Sequence, residues 1–286
     1  MKQGGEYKFV KVKQMMIPKK IHYCWFGRNP LPESARKCIA SWRKYLPDYE
    51  IIEWNEDNFD VNSIPYTAQA YAAKKYAFVS DYARFKILHD QGGLYFDTDV
   101  EVIRHMDDII ATGPFMGFEF DPDGKKYKGT VAPGLGLGSE PGMDLYSEIL
   151  DVYKNLQFLK EDGTPDMKTV VAYITEILDR KGLTAAKGIQ HVGGLTIYPK
   201  EFFCPKSYED GELHITPNTR TIHHYDGTWF DRTLQRSFEL QKKMKWMYAP
   251  LRRRLAVTIA LWQVEGFRAV VDQYCESITK RFKKSK

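Results

Sequence analysis

The sequence has few cysteines and no long apolar run, and each scarcity excludes a class of protein. The four cysteines among 286 residues form no C-x-x-C pair; they are Cys24, Cys38, Cys204 and Cys275. A zinc ribbon, a dithiol redox motif and a disulfide framework are therefore not expected, and we expect reduced thiols in a cytoplasmic protein. The apolar run Leu255 to Val264 is shorter than the roughly 20 residues that cross a membrane. The charged N-terminus lacks the apolar core of a secretory signal.

Positive charge is concentrated at one end of the chain. Apolar residues make up 43% and charged residues 28%, which is typical of a globular protein, and the net charge is +5. Residues 232–286 carry 14 basic and 4 acidic residues, a net charge of +10, whereas residues 1–231 carry 28 basic and 33 acidic residues, a net charge of −5. We therefore predict a mildly acidic body, 1–231, and a strongly basic tail, 232–286, that favours an anionic surface.

Strand and helix signals alternate in the first half of the chain. The run Lys20 to Phe26 is typical of a buried strand, a helix is predicted over 32–45, and Tyr49 to Trp54 is typical of a second strand. Further helices are predicted over 65–76, from a Ser80 cap to His89, over 143–157 and over 166–181. This order predicts an α/β domain with a parallel sheet.

Two carboxylates follow the short strand Leu94 to Phe96. Asp97 and Asp99 are two residues apart, so on a regular strand they would point to opposite faces. They could hold one ion only if the chain leaves the strand at that point, and strand ends in open α/β sheets are where ligands bind. Carboxylate oxygens suit Mg²⁺ or Mn²⁺. A lone D-x-D also occurs as a solvated loop, so the upstream residues matter.

Asp81 and Arg84 lie three residues apart on the preceding predicted helix and share one of its faces. Together with Gly92-Gly93 and the stretch 94–99, this pattern closely resembles the D-x-D glycosyltransferases of the capsular-polysaccharide and yeast α-1,6-mannosyltransferase type, glycosyltransferase family 32. It is also similar to the glucosyltransferase domains of large clostridial toxins. The resemblance implies a GT-A (Rossmann-like) fold, a nucleotide-sugar donor and transfer with retention of anomeric configuration.

The resemblance also assigns roles at the donor site. Trp25 would stack on the nucleotide base beside the backbone of Cys24, although core packing of the indole is the competing interpretation. Asp81, Arg84 and Asp99 are the expected catalytic residues. The expected donor-binding residues are Cys24, Trp25, Ser80, Asp81, Arg84, Tyr95, Asp97, Thr98 and Trp229.

A second motif near residue 224 resembles the family's closing motif. In the family's motif a histidine completes the metal and diphosphate site. In this chain His224 precedes Gly227 by three residues and Trp229 by five. His223 would point to the other side of an extended chain. The resemblance therefore implies a Mn²⁺ or Mg²⁺ site made by Asp97, Asp99 and His224. The toxin-type enzymes have an acidic residue and a hydroxyl at this position, so their donor is not carried over.

Three features leave alternatives open. The glycines of segment 132–140 lie where the family lines its acceptor side, but they lack the phosphate-loop pattern and also suit turns. Apolar residues recur at helical spacing from Met244 to Trp262, with Pro250 as a start or kink; this helix could pack on the body or lie on a membrane. The tail lacks a nucleic-acid motif.

The sequence therefore predicts a metal-dependent hexosyltransferase. A UDP-hexose is favoured over GDP-mannose as donor, and the expected acceptor is a free or lipid-linked saccharide in capsular or exopolysaccharide synthesis. A phosphatase of the haloacid-dehalogenase type is disfavoured by Glu101, which stands where that family has threonine or valine. A catalytically inactive carbohydrate-binding or scaffold protein on the same fold is the alternative. The expected location is cytoplasmic, peripheral on the inner face of the cell membrane.

Overall fold

The computed structural model describes residues 16–207, 211–227, 232–244 and 246–272. Its strands, in chain order, are β1 Lys20–Cys24, β2 Glu50–Trp54, β3 Gly93–Tyr95, β4 Val100–Val102, β5 Phe115–Phe120, β6 Thr130–Ala132, β7 Leu137–Ser139, β8 Gln190–Val192, β9 Leu195–Tyr198 and β10 Thr221–His223. Its helices are α1 Glu33–Tyr45, α2 Pro65–Ala72, α3 Tyr76–Gln91, α4 Asp107–Ile110, α5 Asp144–Lys154, α6 Val170–Arg180, α7 Lys200–Phe203, α8 Arg232–Lys243 and α9 Ala249–Glu265.

The main sheet is mixed and has the order β2-β1-β3-β7-β5-β9-β8, with β6 paired to β5. β1 is parallel to both β2 and β3, whereas β7 is antiparallel to β3 and to β5. A second, two-stranded sheet pairs β4 with β10. The helices that connect the first three strands make this part a parallel α/β arrangement, which confirms the predicted class and agrees with the GT-A fold.

The described residues fall into two compact units. The first comprises residues 1–205 and 215–223, and the second comprises residues 206–214 and 224–286. The first contains the main sheet and the second contains α8 and α9. The predicted division at 231/232 stays a prediction. Within the part of the chain that the structure describes, no helix combines the length and the apolarity that a bilayer crossing requires.

His22 holds the parallel strands together at the centre of the first unit. Its side chain is fully buried, Nε2 lies 3.0 Å from the Gly92 carbonyl oxygen, and Nδ1 accepts a hydrogen bond of 3.0 Å from the Trp54 indole N–H. Burial lowers the pKa of His22 to about 4. The neutral ring therefore donates to the residue before β3 and accepts from the last residue of β2, which fixes the register of the strands beside the D-x-D segment.

Two predicted helix starts are wrong. Ser80 does not cap a helix, because α3 already begins at Tyr76 and the Ser80 hydroxyl donates to the Tyr76 carbonyl oxygen at 3.2 Å. Burial of Phe78 and Val79 accounts for the earlier start. The helix predicted from residue 166 begins at Val170, because Asp166 Oδ1 accepts the Lys168 N–H in a local turn and Thr169 has extended backbone angles, φ −83° and ψ 161°.

Candidate donor-binding site

The chain leaves β3 at the first carboxylate of the D-x-D segment. β3 ends at Tyr95, and the backbone N–H of Val100 donates to the Asp97 carbonyl oxygen at 3.0 Å, which closes a turn over Thr98 and Asp99. The N–H of Asp97 donates to the Gly134 carbonyl oxygen at 3.1 Å. The chain therefore leaves the strand at the D-x-D segment, as it must if both carboxylates are to bind one ion. All three D-x-D side chains are partly exposed at the carboxyl end of the parallel strands.

Arg84 connects α3 to the turn. Its side chain is 4% exposed; Nη2 lies 2.9 Å from Asp81 Oδ1, and Nη1 lies 3.4 Å from Asp97 Oδ2. Its Nε–H donates to the Ser80 carbonyl oxygen at 3.1 Å, and its guanidinium carbon lies 4.9 Å from the centre of the Tyr95 ring. The guanidinium is therefore held in place by contacts on several sides, as a preorganised positive charge must be.

In the buried part of the site, the positive charge of Arg84 is paired with the carboxylate of Asp81. Burial alone would lower the pKa of Arg84, but the Asp97 and Asp81 carboxylates raise it, so the guanidinium stays charged. Burial raises the pKa of the Asp81 carboxyl to about 6, because desolvation outweighs the attraction of Arg84. Asp81 is 7% exposed, so the structure shows it first as the partner of Arg84; its predicted catalytic and donor-binding role stays a prediction.

The Asp97 carboxylate is positioned from three sides. Besides Arg84, the Tyr95 hydroxyl donates to Oδ1 at 3.1 Å. A Cβ atom added to Gly134 would lie 1.9 Å from Asp97 Oδ2, so only glycine fits there with the carboxylate in this position. The side chain of Asp97 is nevertheless 31% exposed. Gly134 thus makes room for the carboxylate, a role that the glycine-rich segment did not reveal in the sequence.

Asp99 lies against His223. The Nε2 atom of His223 is 3.2 Å from Asp99 Oδ1, and the register of β10 against β4 places His223 opposite Val100, the residue after Asp99. Burial alone would lower the pKa of His223, but the Asp99 carboxylate and the nearby Cys204 thiol raise it. The sequence argument had set His223 aside, and the strand pairing that brings it here spans more than a hundred residues of chain.

His224, the predicted ligand, belongs to the second compact unit, where its carbonyl oxygen accepts a hydrogen bond of 2.5 Å from the Lys206 ammonium group. Its role as a metal ligand stays a prediction. Trp229, the predicted diphosphate-site residue, lies outside the described residues.

The first-strand residues occupy the same sheet edge as the turn, since His22 is opposite Tyr95 in the register. The Cys24 thiol is buried, its burial raises its pKa to about 12, and it interacts with the Tyr95 and Ser80 side chains. Trp25 is half-buried, and its indole N–H donates to the Asn29 carbonyl oxygen at 2.6 Å. Trp25 is therefore not a fully buried core side chain, and stacking on a base stays a prediction.

The acidic residues of the turn could supply only part of the ligand shell of a divalent cation. Among the residues that the structure describes, no three His, Cys, Asp or Glu side chains form a group that could hold a metal. Mg²⁺ commonly binds through one or two protein carboxylates and completes its shell with water and substrate phosphates. Asp97 and Asp99 suit such a site, because both are carboxylates with 31% and 17% exposed side chains at a strand end.

Residues 32–116 match the family described as "Glycosyltransferase sugar-binding region containing DXD motif". An uncharacterized glycosyltransferase of Acanthamoeba polyphaga mimivirus is 30% identical over 157 residues, which cover 52% of this chain and 59% of that protein. Inositol phosphoceramide mannosyltransferase 3 of Schizosaccharomyces pombe is 32% identical over 98 residues, covering 33% and 27%. The chain thus spans less than two thirds of the length of these curated relatives.

Two solved glycosyltransferase structures match parts of the chain. The PaToxG glycosyltransferase is 20% identical, with a TM-score of 0.44 over 58% of this chain and 70% of that one. The galactosyltransferase LgtC is 16% identical, with a TM-score of 0.38 over 72% and 87%. The matched region 32–116 contains Asp81, Arg84, Asp97 and Asp99. Over residues 32–116 the chain is thus similar to the sugar-binding region of DXD-containing glycosyltransferases, as its motifs indicated.

Proposed function

We propose that the chain is a metal-dependent, retaining hexosyltransferase that uses a nucleotide-sugar donor. The observation that supports this most directly is the buried Arg84 guanidinium, held between Asp81 and Asp97 and next to a D-x-D turn at the end of parallel strands. A fixed positive charge beside two partly exposed carboxylates is suited to a diphosphate leaving group, on which negative charge grows during transfer.

Each side chain has a separate task in this proposal. Asp97, Asp99 and His224 would hold Mn²⁺ or Mg²⁺, and the ion would neutralise charge on the leaving diphosphate when bound. Arg84 orients Asp97 and supplies a further positive charge that needs no rearrangement during the reaction. Tyr95 fixes the other side of Asp97. We assign no protein group as general base.

The remaining donor contacts follow from the sheet edge. Trp25 would stack on the base and the backbone at Cys24 would read its edge, since Cys24 is the last residue of β1, the strand next to β3, and Trp25 follows it. Ser80 and Thr98 would lie near the sugar and ribose, together with the predicted Trp229. The segment around Gly134 would line the acceptor side, because Gly134 hydrogen-bonds to Asp97 directly.

The sugar and the base are the finer part of the proposal. No residue decides the donor, and a UDP-hexose was the expectation from sequence; three of the relatives are mannosyltransferases by name, among them the initiation-specific alpha-1,6-mannosyltransferase of Candida albicans, which supports GDP-mannose. Two Schizosaccharomyces pombe relatives are inositol phosphoceramide mannosyltransferases and a Saccharomyces cerevisiae relative is a mannosyl phosphorylinositol ceramide synthase, which supports a lipid-linked acceptor as an addition to the capsular or exopolysaccharide unit. We propose a cytoplasmic enzyme peripheral on the inner membrane face.

A calorimetric titration tests the donor site. UDP and GDP are titrated separately into the full chain with Mn²⁺, with a chelator, and into the double variant Asp97→Asn/Asp99→Asn. We expect one nucleotide to bind only with metal and only to the unaltered chain. The matched control is Asp48→Asn/Asp151→Asn, which removes two exposed carboxylates that pair with lysines elsewhere on the surface.

The alternative, an inactive carbohydrate-binding protein on the same fold, predicts a different result. In that case neither nucleotide binds to well-folded chain, or binding ignores both the metal and the double variant. Metal-dependent binding of a nucleotide together with release of that nucleoside diphosphate from its sugar conjugate would rule the inactive protein out.

A further inference from the structure

The outer face of α9 carries an exposed apolar stripe. Leu251, Leu255 and Trp262 are 55%, 39% and 57% exposed. At about 100° per residue these three positions lie within about 40° of one another around the helix axis. Aromatic side chains stand at both ends of the helix, where Trp246 is 83% and Phe267 is 71% exposed. Exposed apolar side chains gathered on one face of a helix mark a surface that another body covers.

The opposite face of α9 is already used. Ala256 and Ala260 are fully buried and pack with Leu240 of α8. The two helices are also joined at their polar edges, where Arg236 donates to the Gln263 side chain at 2.8 Å and the Thr233 hydroxyl donates to Glu265 at 2.5 Å. The stripe is therefore the face that α9 turns away from α8, and it is presented on a helix pair rather than on an isolated helix.

Arginines flank the stripe on both sides. On a regular helix Arg252 and Arg254 lie about 80° to either side of its centre line. Arg252 is half-buried and Arg254 is exposed. Arginine can lay its aliphatic stem along apolar surface and keep its charged group at the water boundary. An apolar stripe with aromatic ends and arginine flanks is the arrangement of a helix that lies in a membrane interface.

We propose that the helix pair α8–α9 docks on an anionic lipid surface through this stripe. The charge of the surrounding chain fits that partner, because residues 232–286 have a net charge of +10. Each basic residue close to an anionic leaflet adds attraction, and the apolar side chains gain by leaving water for the acyl boundary. The inference concerns the tail alone and does not depend on the sugar chemistry.

Two other partners fit the stripe less well. A second copy of the chain would bring the same arginine flanks face to face, and like charges at an interface are unfavourable. A nucleic acid would be bound by stacking on aromatic rings along a basic groove, whereas Leu251 and Leu255 are aliphatic and occupy the centre of the exposed face. Lipid is the partner for which both the aliphatic centre and the basic flanks are useful.

Vesicle flotation with the full chain tests the proposal. The probes are vesicles of phosphatidylcholine alone and of an equimolar mixture of phosphatidylcholine and phosphatidylglycerol. We expect binding to the mixed vesicles that weakens as NaCl is added, and much weaker binding to phosphatidylcholine alone. Quenching of tryptophan fluorescence by lipids brominated near the headgroup should be strong, and Trp262→Phe should reduce it without releasing the protein.

The variants test whether vesicle binding depends on the stripe itself or only on the overall charge and hydrophobicity of the protein. Arg252→Gln/Arg254→Gln should lower the partition coefficient on mixed vesicles roughly thirty-fold. Arg36→Gln/Arg43→Gln, which removes the same charge from exposed positions of α1, should change it much less. Leu255→Ser/Trp262→Ser should abolish binding, whereas Tyr127→Ser, at a 46% exposed tyrosine of the first unit, should leave it unchanged.

Three results would overturn the proposal: a well-folded full chain that ignores mixed vesicles, stripe variants that bind as tightly as the unaltered chain, or controls that lose binding to the same extent. Sedimentation of the lipid-free chain adds a fourth. A dimer that Leu255→Ser/Trp262→Ser dissociates would assign the stripe to a second copy. Circular dichroism of each variant verifies that α8 and α9 remain folded.

Discussion

The guanidinium of Arg84 lies 2.9 Å from the Asp81 carboxylate and 3.4 Å from that of Asp97, and it is 4% exposed. One buried cation therefore joins the middle of α3 to the first residue of the D-x-D segment. A surface ion pair at this spacing contributes little, but a buried one cannot lose a partner cheaply, since the remaining charge stays desolvated. The position of Asp97 and the stability of α3 are linked through this contact.

Arg84→Lys should keep the fold and lose most of the activity. Lysine supplies one point charge, which cannot reach Asp81 and Asp97 with the two-pronged geometry of the guanidinium. We expect kcat to fall by about a hundredfold or more. Arg84→Ala should in addition lower the free energy of unfolding by about 3–5 kcal/mol. Steady-state kinetics and urea denaturation measure the two effects.

The control for this prediction is Arg36→Lys, because Arg36 pairs with Glu33 three residues away but on an exposed face of α1. Neither kcat nor stability should change there. Full activity in Arg84→Lys would show that a positive charge suffices and that the contact with two carboxylates is unimportant.

Gly134→Ala should weaken nucleotide binding more than it weakens the fold. The added methyl group would lie 1.9 Å from Asp97 Oδ2, and the carboxylate can escape only by leaving Arg84 and Tyr95. We expect the metal-dependent affinity for the nucleotide to drop by about tenfold or more, since a carboxylate ligand is displaced. Calorimetry provides the affinity and thermal unfolding the stability.

Gly113→Ala serves as the counterpart. Its Cβ meets no atom within 4 Å, but its φ of +91° strains an alanine. That variant should lose about 1 kcal/mol of stability and no affinity. Equal affinity in both glycine variants would mean that the Asp97 carboxylate does not need its present position.

Separate substitution of the two adjacent histidines shows which one binds the metal and which one supports the fold. If His224 holds the ion, His224→Ala should lower Mn²⁺-dependent nucleotide binding by about tenfold or more while the fold remains. His223→Ala removes the 3.2 Å contact with Asp99 and should lower the free energy of unfolding by about 1–3 kcal/mol. The opposite pattern, with metal dependence lost only in His223→Ala, would transfer the ligand role to His223.

His22 should make the protein less stable in mild acid. Its pKa is about 4 in the fold and 6.5 when exposed, so between these values the unfolded chain binds more protons. Stability therefore falls as the pH drops from 6.5 to 4, by up to about 3 kcal/mol, and is unaffected by this group above pH 7. Urea denaturation across this range measures the slope, which His22→Gln should flatten.

His191→Gln is the comparison for the acid experiment, since His191 is exposed on β8. It should leave the slope unchanged. A slope that persists in His22→Gln would place the acid sensitivity elsewhere, for example at the remaining histidines or at carboxylates.

Periodicity and motif spacing predicted the elements that carry the site. Strands β1, β2 and β3 alternate with helical patterns, and this order determines which strand ends meet, so the place of Asp97 at a sheet edge followed from sequence. The start of α3 did not follow, because the helix is extended by burial of Phe78 and Val79 rather than by a capping side chain.

Long-range pairing explains the remaining misses. The approach of His223 to Asp99 depends on the antiparallel pairing of β10 with β4, and that of Gly134 to Asp97 depends on a loop that precedes β7. Local sequence contains no signal for either partner. The glycine run and the double histidine are visible in the sequence, but only the three-dimensional pairing shows that Gly134 contacts Asp97 and His223 contacts Asp99.

β3 is parallel to β1 on one side and antiparallel to β7 on the other. The D-x-D carboxylates therefore lie where two stretches of chain, residues 20–95 and 115–198, meet in the sheet. Each stretch supplies the strands on one side of that boundary. A chimaera joined in the connection between these stretches would exchange the β5–β9 side with a related protein while every hydrogen bond of β1, β2 and β3 to one another came from a single parent. The strands on either side of this boundary can therefore be exchanged separately.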